Sequence, residues 1–217
     1  MSFPHQAIFW DIDGTLADSE PVHERSFHQA IKGLGLSLPD DLHDRILGLS
    51  EEVCHAFLVD HCGLRMDLAD WTHRRHAIYM GMLGEVAPFP RALQIWAGLE
   101  AAGIAQMPVS NSDRRLVMAN LDVLGLSRPR MKLVSRNDVR AGKPAPEPYL
   151  RAAWLLELDP TTCAVVEDSP TGVQAGRAAG MTVYAAPDMA PALREKLDLP
   201  CALSLLDGLP AQAAPVA

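Results

Sequence analysis

Four clusters of acidic, hydroxyl and basic residues punctuate this 217-residue sequence, three of them directly after short apolar segments. The clusters are DIDGT at 11–15, SNS at 110–112, GKP at 142–144 and EDS at 167–169. If the apolar segments are neighbouring parallel strands, their carboxyl ends lie at one edge of a sheet, where open α/β sheets bind ligands. The spacing therefore predicts a single site assembled from distant parts of the chain.

Acidic side chains dominate this predicted site. Asp11, Asp13, Glu167 and Asp168 would place up to four carboxylates close together. Such carboxylates repel one another, and some of their pKa values must rise unless a cation lies between them. Mg²⁺ prefers oxygen ligands and commonly binds through a few carboxylates together with a substrate phosphate, so Mg²⁺ is the cofactor that we expect.

Three further residues are suited to holding an anion beside the metal. Lys143 supplies a positive charge and Ser110 a hydroxyl group, while the backbone amides around Asn111 lie at a predicted helix N-terminus that can receive an anion. A carboxylate, a metal, a lysine and free N–H groups together suit phosphoryl transfer, in which the protein mainly positions the reactants and neutralises charge.

Alternating elements would position these clusters. Apolar segments at 7–10, 105–109, 131–134, 163–166 and 181–185 predict buried strands, and stretches with helical spacing of apolar residues lie between most of them. Strands that alternate with helices imply right-handed crossovers. The sequence therefore predicts an α/β fold with a doubly wound, Rossmann-like parallel sheet.

Residues 18–86 interrupt this alternation. Their apolar residues have helical spacing in three stretches, with Ser50 as the predicted N-cap of the second, and no convincing strand lies among them. The simplest interpretation is an all-helical cap inserted after the first strand, above the carboxyl ends of the sheet. We therefore predict a catalytic core formed by residues 1–17 and 87–217 and a helical cap formed by residues 18–86.

Composition and charge limit the partners of this chain. The formal net charge is −8 and no large block of Lys and Arg is present, whereas nucleic-acid binding depends on clustered positive charge. No apolar run approaches the ~18 residues needed to span a bilayer, and no secretory signal is evident at the N-terminus. We expect a cytoplasmic monomer or small homo-oligomer that binds neither nucleic acid nor membranes.

Four segments resemble the signature motifs of the haloacid dehalogenase superfamily. IFWDIDGTLADSE resembles the first motif, VSNSD the second, GKPAPEPYL the third and VVEDSPTGVQAGRAAGM the fourth, in the family's order. The predicted insert also resembles the cap of the helical-cap subclass, which contains phosphatases and the β-phosphoglucomutase group. The resemblance therefore extends over nearly the whole chain.

The resemblance implies roles for the core residues. Asp11 would be the nucleophile that forms an aspartyl-phosphate. Asp13 would be the acid that protonates the leaving group and the base that activates water, with its backbone carbonyl at the metal. Ser110 and Lys143 would hold the phosphoryl oxygens, and Asp168 would bind Mg²⁺ directly.

Three more residues receive roles from the resemblance. Glu167 would be either a metal ligand or a residue that hydrogen-bonds to the ligands. Asn111 would contact the substrate through the second motif. His23, in the segment DSEPVH, would contact the substrate from the start of the cap.

The same resemblance narrows the chemistry. Asp13 favours phosphate transfer over dehalogenation, because breaking a carbon–halogen bond needs no acid. A Mg²⁺-dependent phosphatase acting on a small phosphorylated metabolite, such as a sugar phosphate or a phosphoglycolate-like compound, is the expected function. A β-phosphoglucomutase-like hexose-phosphate mutase and a non-catalytic phosphate-binding module are the alternatives. Glu51 stands where the mutases have a phosphate-binding arginine, which argues against a mutase, although Arg74 or Arg75 could compensate.

Overall fold

The computed structural model describes residues 3–36 and 51–209. The strands in these ranges are β1 (Ala7–Trp10), β2 (Ala17–Asp18), β3 (Ala87–Pro88), β4 (Ala105–Pro108), β5 (Cys163–Glu167) and β6 (Thr182–Ala185). The helices are α1 (Glu20–Lys32), α2 (Glu51–Cys62), α3 (Leu68–Gly81), α4 (Pro90–Ala101), α5 (Arg114–Val123), α6 (Glu147–Leu156), α7 (Pro170–Ala178), α8 (Pro191–Lys196) and α9 (Ser204–Asp207).

The central sheet contains four parallel strands in the order β4-β1-β5-β6. All four residues of β1 are completely buried, so both faces of this strand are covered. A continuous apolar run is typical of a parallel strand in this position. Strand β1 therefore lies in the interior of the sheet, with β4 on one side and β5 and then β6 on the other. This arrangement confirms the predicted doubly wound α/β fold.

The segment 131–134 was predicted to be a strand, and this prediction is wrong. Only Val134 pairs with the sheet, through an isolated bridge to Val109 at the edge beside β4. Arg130 has a positive φ of 63°, and the Met131 amide donates to the Arg128 carbonyl in a turn. The chain leaves this turn too late to pair along more than one residue.

A second difference concerns the two connections between the sheet and the helical insert. Strands β2 and β3, at the two ends of the range 18–86, were not predicted from the sequence, and they form a short antiparallel pair with Ala17 opposite Pro88 and Asp18 opposite Ala87. Both connections are therefore held side by side at the start and the end of the insert.

The described part of the insert is helical, and it has a hydrophobic cluster of its own. Phe27, Leu58 and Trp71 belong to this cluster, and the rings of Phe27 and Trp71 meet edge to face at 5.3 Å. Val22 and Tyr79 instead pack into the larger cluster around the sheet, which fastens the ends of α1 and α3 to it. The predicted boundaries of core and cap stay a prediction.

Ser50, the predicted N-cap of α2, lies outside the described residues, and α2 begins with two glutamates that favour a helix N-terminus. In the described part of the chain, no helix combines the length and the apolar character that a membrane span requires.

Helix α7 packs so closely on the sheet that a side chain at residue 176 would push its neighbours aside. A Cβ atom there would lie 2.8 Å from Cγ2 of Val183 and 3.4 Å from Cβ of Val165. We expect Gly176→Ala to lower the free energy of unfolding by about 1–3 kcal/mol, because overpacking forces neighbours to move. Urea denaturation measures this change.

Gly81→Ala is the matched control, because a Cβ atom at this helical glycine meets no atom within 4 Å. This control should leave the stability unchanged or raise it by up to about 1 kcal/mol, since alanine favours helices more than glycine does. Equal urea midpoints for Gly176→Ala and the wild type would contradict the packing argument.

Candidate active site

The polar clusters meet in a cleft of about 700 Å³ at the carboxyl ends of the strands. Seven of the eight predicted site residues line this cleft: Asp11, Asp13, His23, Ser110, Asn111, Lys143 and Asp168. The eighth, Glu167, is completely buried at the end of β5. Parallel strands explain the convergence, because β1, β4 and β5 all end at the same edge.

The turn after β1 brings Asp11 close to Asp168. Gly14 has a φ of +86°, which a residue with a side chain rarely adopts. A Cβ atom on Gly14 would lie 2.2 Å from Oδ2 of Asp168. Glycine therefore serves both the turn and the close approach of the Asp168 carboxylate, whose Oδ1 accepts a hydrogen bond from Thr15 at 3.1 Å.

Lys143 is the buried cation of the site. Its Nζ lies 2.6 Å from Oδ1 of Asp11, 2.6 Å from Oε1 of Glu167 and 2.9 Å from the carbonyl oxygen of Val109. Burial would lower the pKa of Lys143, but the charges of Asp11 and Glu167 outweigh burial and raise it. Lys143 is therefore held in its charged form, with all three of its ammonium hydrogens engaged.

Asn111 holds the segment that carries Lys143. Its Oδ1 accepts from the Lys143 amide at 2.7 Å, and its Nδ2 donates to the Lys143 carbonyl at 3.0 Å. The side chain of Asn111 is thus occupied by the backbone of Lys143. A substrate contact by Asn111 would have to come from its backbone amide.

Three carboxylates form a cluster that can hold a metal ion. Asp11, Glu167 and Asp168 each offer an oxygen atom, and these atoms lie within 4.8 Å of one another. Burial raises the pKa of Asp11 well above its usual range, opposed by Lys143 and reinforced by the other carboxylates. Burial and the charge of Glu167 likewise raise the pKa of Asp168 to about 7. Lys143 carries one positive charge against the three carboxylates, so their mutual repulsion is only partly offset. A hard divalent cation could offset the rest, because it prefers oxygen ligands such as these.

Glu167 has little capacity left for a metal ion. Its Oε1 accepts from Lys143 and from the hydroxyl of Tyr149, each at 2.6 Å. Its Oε2 accepts from the Oγ of Ser169 at 3.1 Å and lies 3.4 Å from the Ser169 amide. These contacts fit a residue that positions Lys143 better than a residue that contributes its own oxygen to a metal.

The Asp13 carboxylate lies apart from this cluster. It accepts hydrogen bonds from Ser19 at 2.6 Å, from Ser112 at 2.7 Å and from Asn120 at 3.1 Å, while His23 lies 3.3 Å away. Burial would raise the pKa of Asp13, but the His23 contact and the two serine hydroxyls outweigh burial and hold the pKa well below its usual range. The structure thus brings the Asp13 side chain into the cleft but not into the carboxylate cluster.

His23 lies between Asp13 and the helices of the insert. Its ring packs against that of Tyr79 with centroids 4.5 Å apart and an interplanar angle of 32°, and its Nδ1 lies 3.3 Å from Arg75. Arg75 in turn contacts Glu51, with Nε 2.9 Å from Oε1. A continuous line of polar contacts therefore runs from Asp13 to α2.

Residues 5–180 match the family model of haloacid dehalogenase-like hydrolases. The chain belongs to this family. This finding confirms the resemblance of the four motifs and shows that the protein is an enzyme, a haloacid dehalogenase-like hydrolase.

Named relatives of this haloacid dehalogenase-like hydrolase include phosphatases. It is 32% identical to hexitol phosphatase A of Escherichia coli K12 over 192 residues, and this aligned region covers 88% of each chain. It is also 32% identical to a phosphoglycolate phosphatase of Cupriavidus necator, over 84% of this chain and 81% of that one. A hydrolase structure from Pseudomonas syringae has the same fold, with a TM-score of 0.79, 20% identity and coverage of 94% and 97%.

Two supporting residues of the site were not predicted from the sequence. Tyr149 lies within the third motif, where a tyrosine alone gives no sign of its buried partner Glu167. Asn120 is completely buried on α5, where it contacts Asp13 and Tyr79. A signal for Asn120 was present, because it occupies a position of the apolar stripe that includes Leu116 and Leu121.

Removing the Tyr149 hydroxyl should weaken the buried ion cluster. Tyr149→Phe leaves the charged Glu167 with one donor fewer, at a cost of about 1–3 kcal/mol in stability. Loss of a residue that orients the site should also lower kcat for a generic aryl phosphate about 10-fold or more. Thermal unfolding and initial rates measure the two effects.

The control for this change is Tyr184→Phe, which removes a hydroxyl 2.9 Å from Nε2 of His5, outside the cleft. This variant should lose some stability and keep its activity. If both variants kept wild-type kcat, Tyr149 would have no positioning role.

Proposed function

We propose that this hydrolase is a Mg²⁺-dependent phosphatase that cleaves small phosphomonoesters through an aspartyl-phosphate on Asp11. The supporting observation is the position of Asp11, which lies 2.6 Å from the buried Nζ of Lys143 and within reach of the Asp168 carboxylate. A buried carboxylate beside a fixed cation, facing a cleft, is suited to attack a phosphoryl group whose negative charge would otherwise repel it.

In the first step, an Asp11 carboxylate oxygen would attack phosphorus and the bond from phosphorus to the ester oxygen would break. Asp13 would give a proton to the leaving oxygen. Because its pKa is held low in the free enzyme, the negative charge of the bound phosphate would have to raise this pKa for Asp13 to carry the proton. The carboxylate that remains on Asp13 is the form that Ser19, Ser112 and Asn120 stabilise through their hydrogen bonds. These donors therefore favour the transfer of the proton from Asp13 to the leaving group.

In the second step, Asp13 would act as the base. Its carboxylate would take a proton from a water molecule as the water oxygen attacks phosphorus. The bond between phosphorus and the Asp11 oxygen would break, releasing inorganic phosphate. Asp11 would return to its carboxylate form and Asp13 to its protonated form, so the cycle closes without another reactant.

Asp11, Asp168 and the backbone carbonyl of Asp13 would hold the metal ion. When bound, Mg²⁺ supplies positive charge that offsets the charge of the phosphoryl oxygens and of the carboxylates. Ser110 and the amides around Asn111 would donate to the phosphoryl oxygens, while Lys143 would keep its contact with Asp11.

In the proposed division into core and cap, the cap would cover the cleft. We call the part of the cleft lining that residues 18–86 contribute the roof. Residues 18–86 contribute His23, Glu51 and Arg75 to the lining, whereas the sheet contributes Asp11 and its neighbours. A bisphosphate-binding mutase would need a free cation in this roof. Arg75 is paired with Glu51, and Arg74 donates to the backbone of Ala30, which supports a phosphatase over a mutase.

Replacing the proposed nucleophile gives the direct test of this mechanism. Asp11→Asn should reduce the hydrolysis of a generic aryl phosphate by about 10³-fold or more, because the amide cannot attack phosphorus. Phosphate release measures the rate, and circular dichroism checks that the variant is folded. Asp122→Asn, at an exposed position of α5, should behave as the wild type. A folded Asp11→Asn protein that keeps more than a few per cent of the activity would refute the proposal.

Metal binding can be tested apart from turnover. Mg²⁺ at about a hundred times its Kd should raise Tm by about 5–10 °C, since a ligand that binds only the folded state stabilises it. Asp168→Asn removes one carboxylate of the cluster, so this shift should largely disappear, while Asp122→Asn should retain it. Full activity after exhaustive chelation would show that no divalent cation is needed.

A further inference from the structure

The charges around the cleft point to the kind of alcohol that this enzyme releases. Among the described residues, eight carboxylates and three lysine or arginine side chains line the cleft. Each of the three cations contacts a carboxylate: Lys143 contacts Asp11, Arg75 contacts Glu51 and Arg136 contacts Glu52. No lysine or arginine of the described lining is therefore left without an anionic partner.

The pair of Glu51 and Arg75 lies in the roof and is largely buried, with side chains 20% and 12% exposed. Nε of Arg75 donates to Oε1 of Glu51 at 2.9 Å, and a second guanidinium nitrogen contacts Oε2. Burial would raise the pKa of Glu51, but His76 and Arg75 outweigh burial and lower it to about 2. Glu51 thus stays charged throughout the physiological pH range.

The second pair joins the insert to the core across the cleft. Arg136 precedes the Lys143 segment, and its guanidinium lies 3.1 Å from Oε1 of Glu52 on α2. A second guanidinium nitrogen of Arg136 donates to the carbonyl of Val139 at 3.0 Å. Two of the three guanidinium nitrogens of Arg136 are thus committed to partners that the protein itself supplies, while its buried Nε has no hydrogen-bond partner among the described residues.

Such a lining suits hydroxyl groups and disfavours anions. Carboxylate oxygens of Glu51 and Glu52 accept hydrogen bonds, and the guanidinium hydrogens of Arg75 that face neither Glu51 nor His23 donate them. A hydroxyl group can do both and carries no charge. A second phosphate or a carboxylate would approach the charged oxygens of Glu51, and every lysine or arginine of the described lining already has a carboxylate partner that offsets its charge.

We propose that Glu51, Arg75, Glu52 and Arg136 select phosphomonoesters of uncharged polyhydroxy alcohols or sugars and reject substrates with a second phosphate or a carboxylate. This inference rests on the proposed phosphatase function and narrows its substrate class. The cleft volume of about 700 Å³ lies within the range of pockets that bind small metabolites.

Relative kcat/KM values test this selectivity, because discrimination between substrates is the ratio of these constants. The substrates are a hexitol monophosphate, phosphoglycolate, a hexose bisphosphate and an aryl phosphate. For the wild type, we expect kcat/KM for the hexitol monophosphate to exceed the values for phosphoglycolate and the bisphosphate by about 100-fold. Values of kcat/KM that differ by less than about threefold between the hexitol monophosphate and the other two metabolites would overturn the inference.

Two variants shift the charge of the roof in opposite directions. The measured ratio is kcat/KM for the hexitol monophosphate divided by kcat/KM for phosphoglycolate or the bisphosphate. Glu51→Gln frees Arg75 and should reduce this ratio about 10-fold or more, whereas Arg75→Gln leaves Glu51 without Arg75 and should increase it. Because each ratio compares substrates on one protein, a loss of activity shared by all substrates cancels. If one variant fails to fold, as judged by circular dichroism, the other still tests the inference.

Glu85→Gln is the matched control. Glu85 forms an ion pair with Arg25 at 2.5 Å, outside the cleft lining, so this variant should keep the wild-type ratio. An unchanged ratio in both roof variants would overturn the selectivity while leaving the phosphatase intact. No hydrolysis of any of the four substrates by the wild type in the presence of Mg²⁺ would overturn both proposals.

Discussion

The buried contact of Lys143 with Asp11 and Glu167 is the interaction on which the rest of the site depends. A buried charge is tolerated only when it is paired and hydrogen-bonded, and removing one partner leaves an uncompensated charge. The three groups come from the end of β1, the end of β5 and the loop before α6. The parallel sheet must therefore be formed before this ion cluster can exist, and Asn111 and Tyr149 then hold its members in place.

Negative charge exceeds positive charge throughout the cleft, and this imbalance explains several features at once. At the carboxyl ends of the strands, Lys143 pairs with Asp11 and Glu167, and among the described residues no lysine or arginine forms an ion pair with Asp168, which supports the proposed divalent cation. In the roof, the carboxylates of Glu51 and Glu52 engage the available guanidinium groups. The same excess that would attract the proposed metal ion to Asp11 and Asp168 would also keep a second anionic group away from the roof.

Asp13 connects these two regions. Its carboxylate receives hydrogen bonds from Ser19 at the start of the insert and from Ser112 and Asn120 of the core, with His23 alongside. Tyr79 contacts a neighbour of Asp13 on each side, since its ring packs against the ring of His23 and its hydroxyl donates to Asn120 at 2.9 Å. A movement of the insert would consequently change the surroundings of the residue proposed to move the proton.

Apolar runs and the turns that end them are local patterns, so most of the succession of strands and helices along the chain and the convergence of the polar clusters could be predicted from the sequence. The same patterns failed at 131–134, where a turn at Arg130 delays the approach to the sheet. Which groups pair became known only from the packed fold: the Asn111 side chain with the Lys143 backbone, Tyr149 with Glu167, and Arg75 with Glu51. These partners lie far apart along the chain, and their contacts depend on side-chain orientations and distances that exist only after the elements have packed.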